Sequence, residues 1–288
     1  MRTVGILDYY ISNFHSNTYH ELFHEIAAKE QREEYVITHV YASLDKSPST
    51  GETTAEWCAR VGAVACNTPQ EVCEACDVIM VLAPNHPDTH EALCSVAFDS
   101  GKPVYVDKTF APDLPTAKRI AQMGKEKGAR FWSSSATRFA SPFAAFMRED
   151  APRVTSFSAE AGNHFEAYCI HLVELMNTFM KNGAKTVNCR NNSANLLFEI
   201  GFEDGRKAFL HQFQGSVVDF CCYPEKDGVC ERLCCGEDFW RRFTCALMDF
   251  FDGGCPPVPV ENTVECIAVR DALKKAMATP CIDVPVER

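Results

Sequence analysis

Apolar and β-branched runs alternate with amphipathic stretches through the first half of the chain. The runs predict strands at residues 4–7, 35–42, 63–65, 78–82, 104–106 and 130–132. The stretches between them predict helices at 13–29, 53–61, 69–75, 90–100 and 114–127. Strands and helices that alternate at these lengths predict a parallel sheet with helices on both faces.

The second half has a different pattern. A helix is predicted at 165–180, and strands at 197–202 and 207–213 flank Gly205 in a hairpin turn. Further strands are predicted at 217–222 and 229–233, followed by helices at 239–251 and 262–277. The fold class is therefore α/β, with an N-terminal Rossmann-type parallel sheet and a C-terminal α+β domain with a largely antiparallel open sheet. We expect the domains at 1–135 and 136–288, joined near 135–152, with the final helix packing back on the first domain.

Composition narrows the range of partners. The chain has 288 residues, 46% of them hydrophobic and 23% charged, which is ordinary for a globular protein of two domains. Its 28 basic and 39 acidic residues give a net charge of −11, which argues against nucleic acid as a partner. No apolar stretch approaches the roughly 20 residues that span a bilayer, and the N-terminus does not read as a signal peptide. We expect a cytoplasmic protein without membrane partners.

Sixteen cysteines are scattered along the chain. Without a secretory signal they predict reduced thiols, many of them small core residues. Cys73 and Cys76 have the spacing of half a zinc or redox site, but the sequence has no second pair of cysteines at a matching spacing. They also fall in a short helix that Thr68 caps, so we predict a structural role and no metal.

The start of the chain, "TVGILDYYISNFHSNTYHELF", has the strand, turn and helix of a dinucleotide-binding unit. Its turn should read G-x-G-x-x-G, but Asp8, Tyr10 and Asn13 stand at the three glycine positions. The helix N-terminus still offers N–H groups to a phosphate, whereas the Asp8 carboxylate opposes that attraction. The alternative is that Asp8 caps the turn and nothing binds there. The turn alone leaves the two alternatives open.

The strand predicted at 78–82 runs into Ala83-Pro84-Asn85, and Asp107-Lys108-Thr109 follows the strand predicted at 104–106. These segments resemble the T/A-P-N and E-K-P motifs of the Gfo/Idh/MocA oxidoreductase family, and the resemblance extends over nearly the whole chain. The segment from Arg138 to Pro142 stands at the family's R-x-x-P motif. The helix "YCIHLVELMNTFM" resembles its D-x-x-x-H-x-x-D helix, with His171 and Glu174 on the later two positions and Ala167 in place of the first acid.

The resemblance implies a catalytic site. Lys108 ends a buried strand, where ligands bind in open α/β sheets, and a lysine there orients a hydroxyl and polarises a forming carbonyl. His171 is the predicted acid/base, which we expect to face Lys108 across a cleft. Tyr168, one turn earlier, is expected to share the site and to replace the acid lost at Ala167. The alternatives are a solvated Lys108 and a structural interior His171.

Other residues complete the predicted site. Glu166 and His164 are alternatives to Tyr168 as the polar partner of the histidine. Arg138, His164 and Glu174 are predicted to bind substrate. The second strand ends in Ala42 and Ser43 without the acid that binds an adenine ribose, so Ser43 and Lys46 favour NADP over NAD. The predicted cofactor residues are Asp8, Tyr10, Asn13, Ser43, Lys46, Pro84, Asn85 and Lys108.

Two functions follow from the sequence. The first is an NAD(P)-dependent oxidoreductase acting on a hydroxyl or carbonyl of a sugar, cyclitol or similar small polyol. The second is a non-redox relative that kept the fold as a ligand-binding or regulatory protein. Lys108, His171 and the whole-chain resemblance favour the first, whereas the altered turn and Ala167 favour the second. We therefore predict the oxidoreductase and keep the non-redox relative as the alternative. The resemblance also implies a homo-oligomer, either a dimer or a tetramer.

Overall fold

The structure is a computed structural model that describes residues 1–148, 154–216 and 219–288. The chain divides into two compact units. The first unit comprises residues 1–134 and 244–260, and the second comprises 135–243 and 261–288. Part of the predicted junction at 135–152 and the start of the predicted strand at 217–222 lie outside the described residues.

The first unit is built on a six-stranded sheet in which every pairing is parallel. Its elements are β1 (Arg2–Asp8), α1 (Phe14–Glu30), β2 (Tyr35–Ala42), α2 (Thr54–Val61), β3 (Val64–Ala65), α3 (Pro69–Ala75), β4 (Val78–Val81), α4 (His90–Asp99), β5 (Val104–Val106), α5 (Leu114–Glu126) and β6 (Phe131–Trp132). The predicted Rossmann-type sheet is confirmed, with small shifts in the ends of several elements.

Local signals explain these elements. All residues of β4 and β5 are buried, as expected for strands covered on both faces. Thr53 caps α2 in a capping box with Glu56, and Thr68 caps α3 ahead of a proline at its first position. The polar and acidic residues at these helix starts therefore fix where the chain turns back toward the sheet.

The strand order is β3-β2-β1-β4-β5-β6, so β1 lies between β2 and β4. The chain order reverses at this point, and open α/β sheets bind ligands beside the carboxyl ends of such strands. A ligand-binding site is therefore expected at the residues that follow β1, β4 and β5.

The second unit holds an eight-stranded mixed sheet with order β12-β11-β7-β10-β9-β8-β14, and β13 also pairs with β11. Its pairings are antiparallel except that β10 and β7 are parallel. Its elements are α6 (Ser141–Arg148), β7 (Ser156–Gly162), α7 (Phe165–Met180), β8 (Ala184–Asn192), β9 (Asn195–Phe202), β10 (Lys207–Phe213), β11 (Cys221–Lys226), β12 (Val229–Cys230), β13 (Leu233–Cys234), α8 (Phe239–Phe251), α9 (Val260–Ala278) and β14 (Asp283–Pro285). The largely antiparallel sheet and the β9–β10 hairpin are confirmed.

The end of α8 and the segment after it, residues 244–260, pack in the first unit. Arg32 donates to Asp249 at 2.6 Å, and the Tyr35 hydroxyl donates to Asp252 at 2.6 Å. Residues 261–288, which include nearly all of α9, belong to the second unit.

The cysteines require one correction. The prediction that all thiols are reduced is wrong at Cys221 and Cys234, which form a disulfide. The antiparallel pairing of β11 with β13 places these two residues opposite each other, a register that the sequence does not reveal. Cys73 and Cys76 are buried thiols, and within the described ranges no group of three or more His, Cys, Asp or Glu side chains is placed to hold a metal ion.

None of the helices in the described part of the chain is both long and apolar enough to cross a bilayer.

Candidate functional site

Asp8 ends β1 and ties the first turn to the end of β4. Its carboxylate accepts hydrogen bonds from the Tyr9 N–H at 2.7 Å, the Ala83 N–H at 3.0 Å and the Asn13 Nδ2 at 2.8 Å. The side chain is 1% exposed. Burial raises the pKa of Asp8 to about 7, although the three hydrogen bonds favour the ionised form. The carboxyl group therefore fills the space that a glycine would leave open.

Asn13 caps α1 with its own side chain. Its Oδ1 accepts from the His15 N–H at 2.9 Å and the Ser16 N–H at 3.2 Å, and its Nδ2 also donates to the Tyr10 carbonyl. These two N–H groups belong to the first turn of the helix, whose donors bind phosphate in dinucleotide-binding folds. Here a side chain of the protein already accepts from them.

The loop after β2 is hydrogen-bonded to the turn between β1 and α1. Ser43 donates its N–H to the Asp8 carbonyl at 3.1 Å, and Ser47 Oγ donates to the Ser12 carbonyl at 2.6 Å. Ser12 Oγ in turn donates to Glu52 at 2.6 Å. The loop therefore adds a second carboxylate beside the turn. The predicted nucleotide residues Ser43 and Lys46 are both exposed in this loop.

The turn does not fit the pyrophosphate of a dinucleotide as a glycine-rich turn binds it. Asp8 is inside the turn, Asn13 occupies two donors of the helix start, and Glu52 hydrogen-bonds the turn from the β2 loop. A pyrophosphate carries two negative charges and needs backbone donors, and this arrangement offers carboxylates where donors are required.

Aromatic rings lie beside Asp8 at the carboxyl edge of the parallel sheet. The Tyr9 ring lies 4.0 Å from the His86 ring, and the Tyr10 ring lies 5.8 Å from it, both measured between centroids. Pro84 is half-buried and Asn85 is exposed in the turn that follows β4. The structure thus brings Tyr10 and the A-P-N turn to the same edge as Asp8.

A buried charge cluster lies at the end of β5. Lys108 is 8% exposed, and its backbone N–H donates to Asp107 Oδ1 at 2.8 Å. The Tyr105 hydroxyl donates to the same oxygen at 2.9 Å, and Asp107 Oδ2 lies 2.6 Å from His15 Nδ1. Burial raises the pKa of Asp107, but the attraction and hydrogen bond of His15 and the charge of Lys108 bring it below its ordinary value. Asp107 is therefore an ionised acceptor.

Sequence reasoning missed the pair of His15 and Asp107. They lie far apart in the chain, and only the packing of α1 against the sheet brings them together. The signal in the sequence is their position, because Asp107 directly follows the strand predicted at 104–106 and His15 lies in the first turn of the helix predicted after the strand at 4–7.

In the second unit, His171 lies on α7 and is nearly buried. Its Nδ1 lies 2.5 Å from Ser135 Oγ, which is also 2.8 Å from Thr137 Oγ1. The rings of Tyr168 and Phe220 pack edge-on against the imidazole at centroid distances of 5.5 and 5.2 Å. A serine hydroxyl therefore takes the place beside His171 that the sequence leaves open at Ala167.

The other predicted residues of α7 have different partners. Glu174 is buried and accepts from the Ser135 N–H at 2.7 Å and from Arg138 Nη2 at 3.2 Å. Glu166 pairs instead with Arg270 at 2.9 Å and Lys274 at 2.8 Å, away from His171.

His164 is exposed at the N-cap of α7. Arg138 and Glu174 are thus joined to the serine that contacts His171, and His164 has no hydrogen bond of this kind among those described.

Comparison with known proteins agrees with this fold. Residues 10–135 match the model of the oxidoreductase family with an NAD-binding Rossmann fold, GFO_IDH_MocA. The uncharacterized oxidoreductase YhhX of Escherichia coli K12 is 31% identical over 98 residues, which cover 34% of this chain and 28% of that protein. The chain therefore matches well under two thirds of this curated relative.

Solved structures match over almost the whole chain. The scyllo-inositol dehydrogenase of Lactobacillus casei is 12% identical, with a TM-score of 0.80 over 99% of this chain and 98% of that one. GenD2 from gentamicin A biosynthesis, solved in complex with NAD, is 15% identical, with a TM-score of 0.80 over 100% of this chain and 97% of that one. At these identities the likeness shows the fold. Residues 10–135 are therefore similar to the NAD-binding Rossmann domain of the Gfo/Idh/MocA oxidoreductase family, and the whole chain has the fold of these solved structures.

Proposed function

We propose that this chain binds a small sugar-, cyclitol- or polyol-like compound at Lys108 and holds no nicotinamide dinucleotide at the β1–α1 turn. The observation that carries the proposal is the Asn13 cap, which engages two helix-start N–H groups while its amide donates to Asp8. A phosphate at this position would have to displace an intramolecular acceptor and approach the carboxyl groups of Asp8 and Glu52, of which Glu52 is paired with Arg60 at 2.9 Å. The attraction of a helix N-terminus for an anion, about 0.3–1 kcal/mol at an exposed site, is too small to offset both costs.

Lys108 supports the ligand class. An ammonium group at the carboxyl end of a parallel strand, largely removed from water, donates hydrogen bonds to hydroxyl or carbonyl oxygens. The Asp107 carboxylate accepts a hydrogen bond from the backbone N–H of Lys108. Its negative charge balances the positive charge of Lys108 in this buried position. Polyhydroxy compounds offer several oxygens to such a cluster without adding charge.

The second candidate is an NAD(P)-dependent oxidoreductase acting on a hydroxyl or carbonyl of a sugar, cyclitol or polyol. The family match over residues 10–135 favours it. In that case Ser43 and Lys46 favour NADP, Lys108 orients the substrate oxygen, and His171 with Tyr168 serves as the acid/base pair. A cytoplasmic homo-oligomer fits both candidates and is part of the proposal.

Nucleotide binding separates the two candidates. Isothermal titration of the wild-type chain with millimolar NADPH and NADH should give no saturable heat, because Asn13 already accepts from two N–H groups of the helix start. The double variant Asp8→Gly/Asn13→Gly removes the carboxylate and the cap, and it should gain weak, saturable binding. Thr68→Gly is the matched control, since it removes the cap of another helix in the same unit. Saturable binding of either nucleotide to the wild-type chain would establish the second candidate instead.

Ligand binding tests the proposed class. Thermal stabilisation by millimolar myo-inositol, 2-keto-myo-inositol, D-glucose or D-fructose is expected for at least one compound in the wild-type chain. Lys108→Ala should abolish that stabilisation, and Lys118→Ala, an exposed lysine on α5, should retain it. If all four compounds fail, or if Lys108→Ala binds as tightly as the wild type, Lys108 is not the binding residue.

A further inference from the structure

His15, on α1, and Asp107, the residue that follows β5, form a buried pair. His15 Nδ1 lies 2.6 Å from Asp107 Oδ2, and both side chains are almost fully removed from solvent. A carboxylate at this distance fixes the orientation and tautomer of an imidazole and stabilises its protonated form. The pair therefore has the arrangement of an oriented acid/base group.

Its place in the fold adds a second observation. His15 is in the first turn of α1, directly after the β1 turn, and Asp107 and Lys108 follow β5. All three residues lie at the carboxyl edge of the same parallel sheet, and Lys108 adjoins the pair through its backbone bond to Asp107. A proton acceptor and a cation at one edge are the two groups that enolisation of a carbonyl compound needs.

We propose that His15, oriented by Asp107, transfers protons to and from a polyhydroxy ketone bound at Lys108. This inference rests on the proposed function and extends it from binding to a non-redox activity.

The step balances without an oxidant. His15 Nε2 takes the proton from the carbon next to the carbonyl, and the C–H electron pair forms the C=C bond of an enolate. The carbonyl π pair moves onto oxygen, where the Lys108 ammonium stabilises the negative charge. Return of a proton from the His15 imidazolium to the same carbon restores the ketone. Where that carbon carries a hydroxyl, transfer of the hydroxyl proton to the enolate oxygen, followed by protonation of the former carbonyl carbon by His15, forms a C=O bond at the neighbouring carbon and yields the isomeric hydroxyketone.

The contact of Asp107 with His15 can be tested separately from its other hydrogen bonds. Tyr105 and the Lys108 N–H both donate to Oδ1, whereas His15 contacts Oδ2. Asp107→Asn can keep the first two bonds on its carbonyl oxygen. Its amide would then donate to His15 Nδ1, which leaves the proton on Nε2 and removes the base. A purely structural ion pair would not depend on the tautomer in this way.

The experiment follows exchange of the hydrogens next to the carbonyl of 2-keto-myo-inositol in D₂O by proton NMR, with binding measured on the same samples. The wild-type chain should exchange them faster than buffer alone. His15→Gln and Asp107→Asn should each lower the enzyme-dependent rate by roughly 10²–10⁴-fold, and His15→Gln should still bind the ketone. His24→Gln, which breaks the exposed pair between His24 on the same helix and Glu34, should leave the rate unchanged.

Three results would overturn a proposal. A wild-type chain that binds the ketone without accelerated exchange overturns the role of His15 and leaves the proposed binding function intact. A folded His15→Gln variant that exchanges at the wild-type rate does the same. Absence of ketone binding in the wild type overturns the ligand class itself, and this inference with it.

Discussion

Replacing Asp8 with asparagine should remove a pH-dependent loss of stability in the first unit. Burial raises the pKa of this carboxyl from 3.8 to about 7, because the ionised form is removed from water inside the β1 turn. Below pH 4 the carboxyl is protonated in both the folded and the unfolded chain, so it carries no penalty. Between about pH 4 and pH 7 the unfolded chain releases the proton and the folded chain retains it, so stability falls as the pH rises.

The size of the effect follows from the shift. A change of about 3 pKa units, at about 1.4 kcal/mol per unit, corresponds to roughly 4 kcal/mol between pH 4 and pH 8. The wild type should lose this amount relative to Asp8→Asn, and the difference should be constant above pH 8. The asparagine amide faces the Asn13 amide, which adds an offset that does not vary with pH.

Urea unfolding at half-unit steps from pH 4 to pH 9 measures the difference. Trp57 and Trp132 are buried in the first unit, so a Trp240→Phe background makes the fluorescence report on that unit. Asp77→Asn is the control of opposite sign. The Thr3 N–H and hydroxyl lower the pKa of Asp77, so its stabilisation is lost as the pH falls.

One result would refute the reasoning about Asp8. If the wild type gains stability relative to Asp8→Asn as the pH rises, the three hydrogen bonds outweigh burial and the carboxyl stays ionised throughout. A flat difference would mean that the two contributions cancel.

Three further variants test other parts of the structure. Lys108→Ala should abolish ligand-dependent stabilisation and lower the free energy of unfolding by about 1–3 kcal/mol, because the buried Asp107 loses a neighbouring positive charge, and a variant that no longer folds would assign Lys108 to folding. Gly124→Ala should lower stability by about 1–3 kcal/mol despite the higher helix propensity of alanine, because its Cβ would lie 2.3 Å from the Phe131 ring; an unchanged melting temperature contradicts that packing. Cys234→Ser, which opens the disulfide to Cys221, should cost about 2–4 kcal/mol, and a reductant should lower the melting temperature of the wild type but not of the variant.

The sequence predicts most of the first unit because its signals are local. Continuous apolar runs mark β4 and β5, and Thr53 and Thr68 mark the starts of α2 and α3 within the chain segments that they cap. Strand β7, by contrast, reads SFSAEAG, in which small residues alternate with polar ones and give little apolar signal. Strand β14 is short and pairs only with β8, so nothing in its own three residues indicates a strand.

The site was predictable only in part, since its pairings are not local. The positions of Lys108 and His171 follow from motifs, but Ser135 beside His171 and His15 beside Asp107 depend on packing between distant segments. The disulfide is of the same kind, because it depends on the register of two strands. Whether Lys108 and His171 act on one substrate stays a prediction.

The Asn13 cap also bears on how the protein persists in a cell. A dinucleotide-binding unit gains stability by mass action from its bound nucleotide, so its folded population follows the nucleotide concentration. Here an amide side chain completes the first turn of α1, and its N–H groups have acceptors before any ligand arrives. If the turn binds no dinucleotide, as we propose, the folded population of this unit is uncoupled from the nicotinamide nucleotide pool, and its abundance should not change when that pool is depleted.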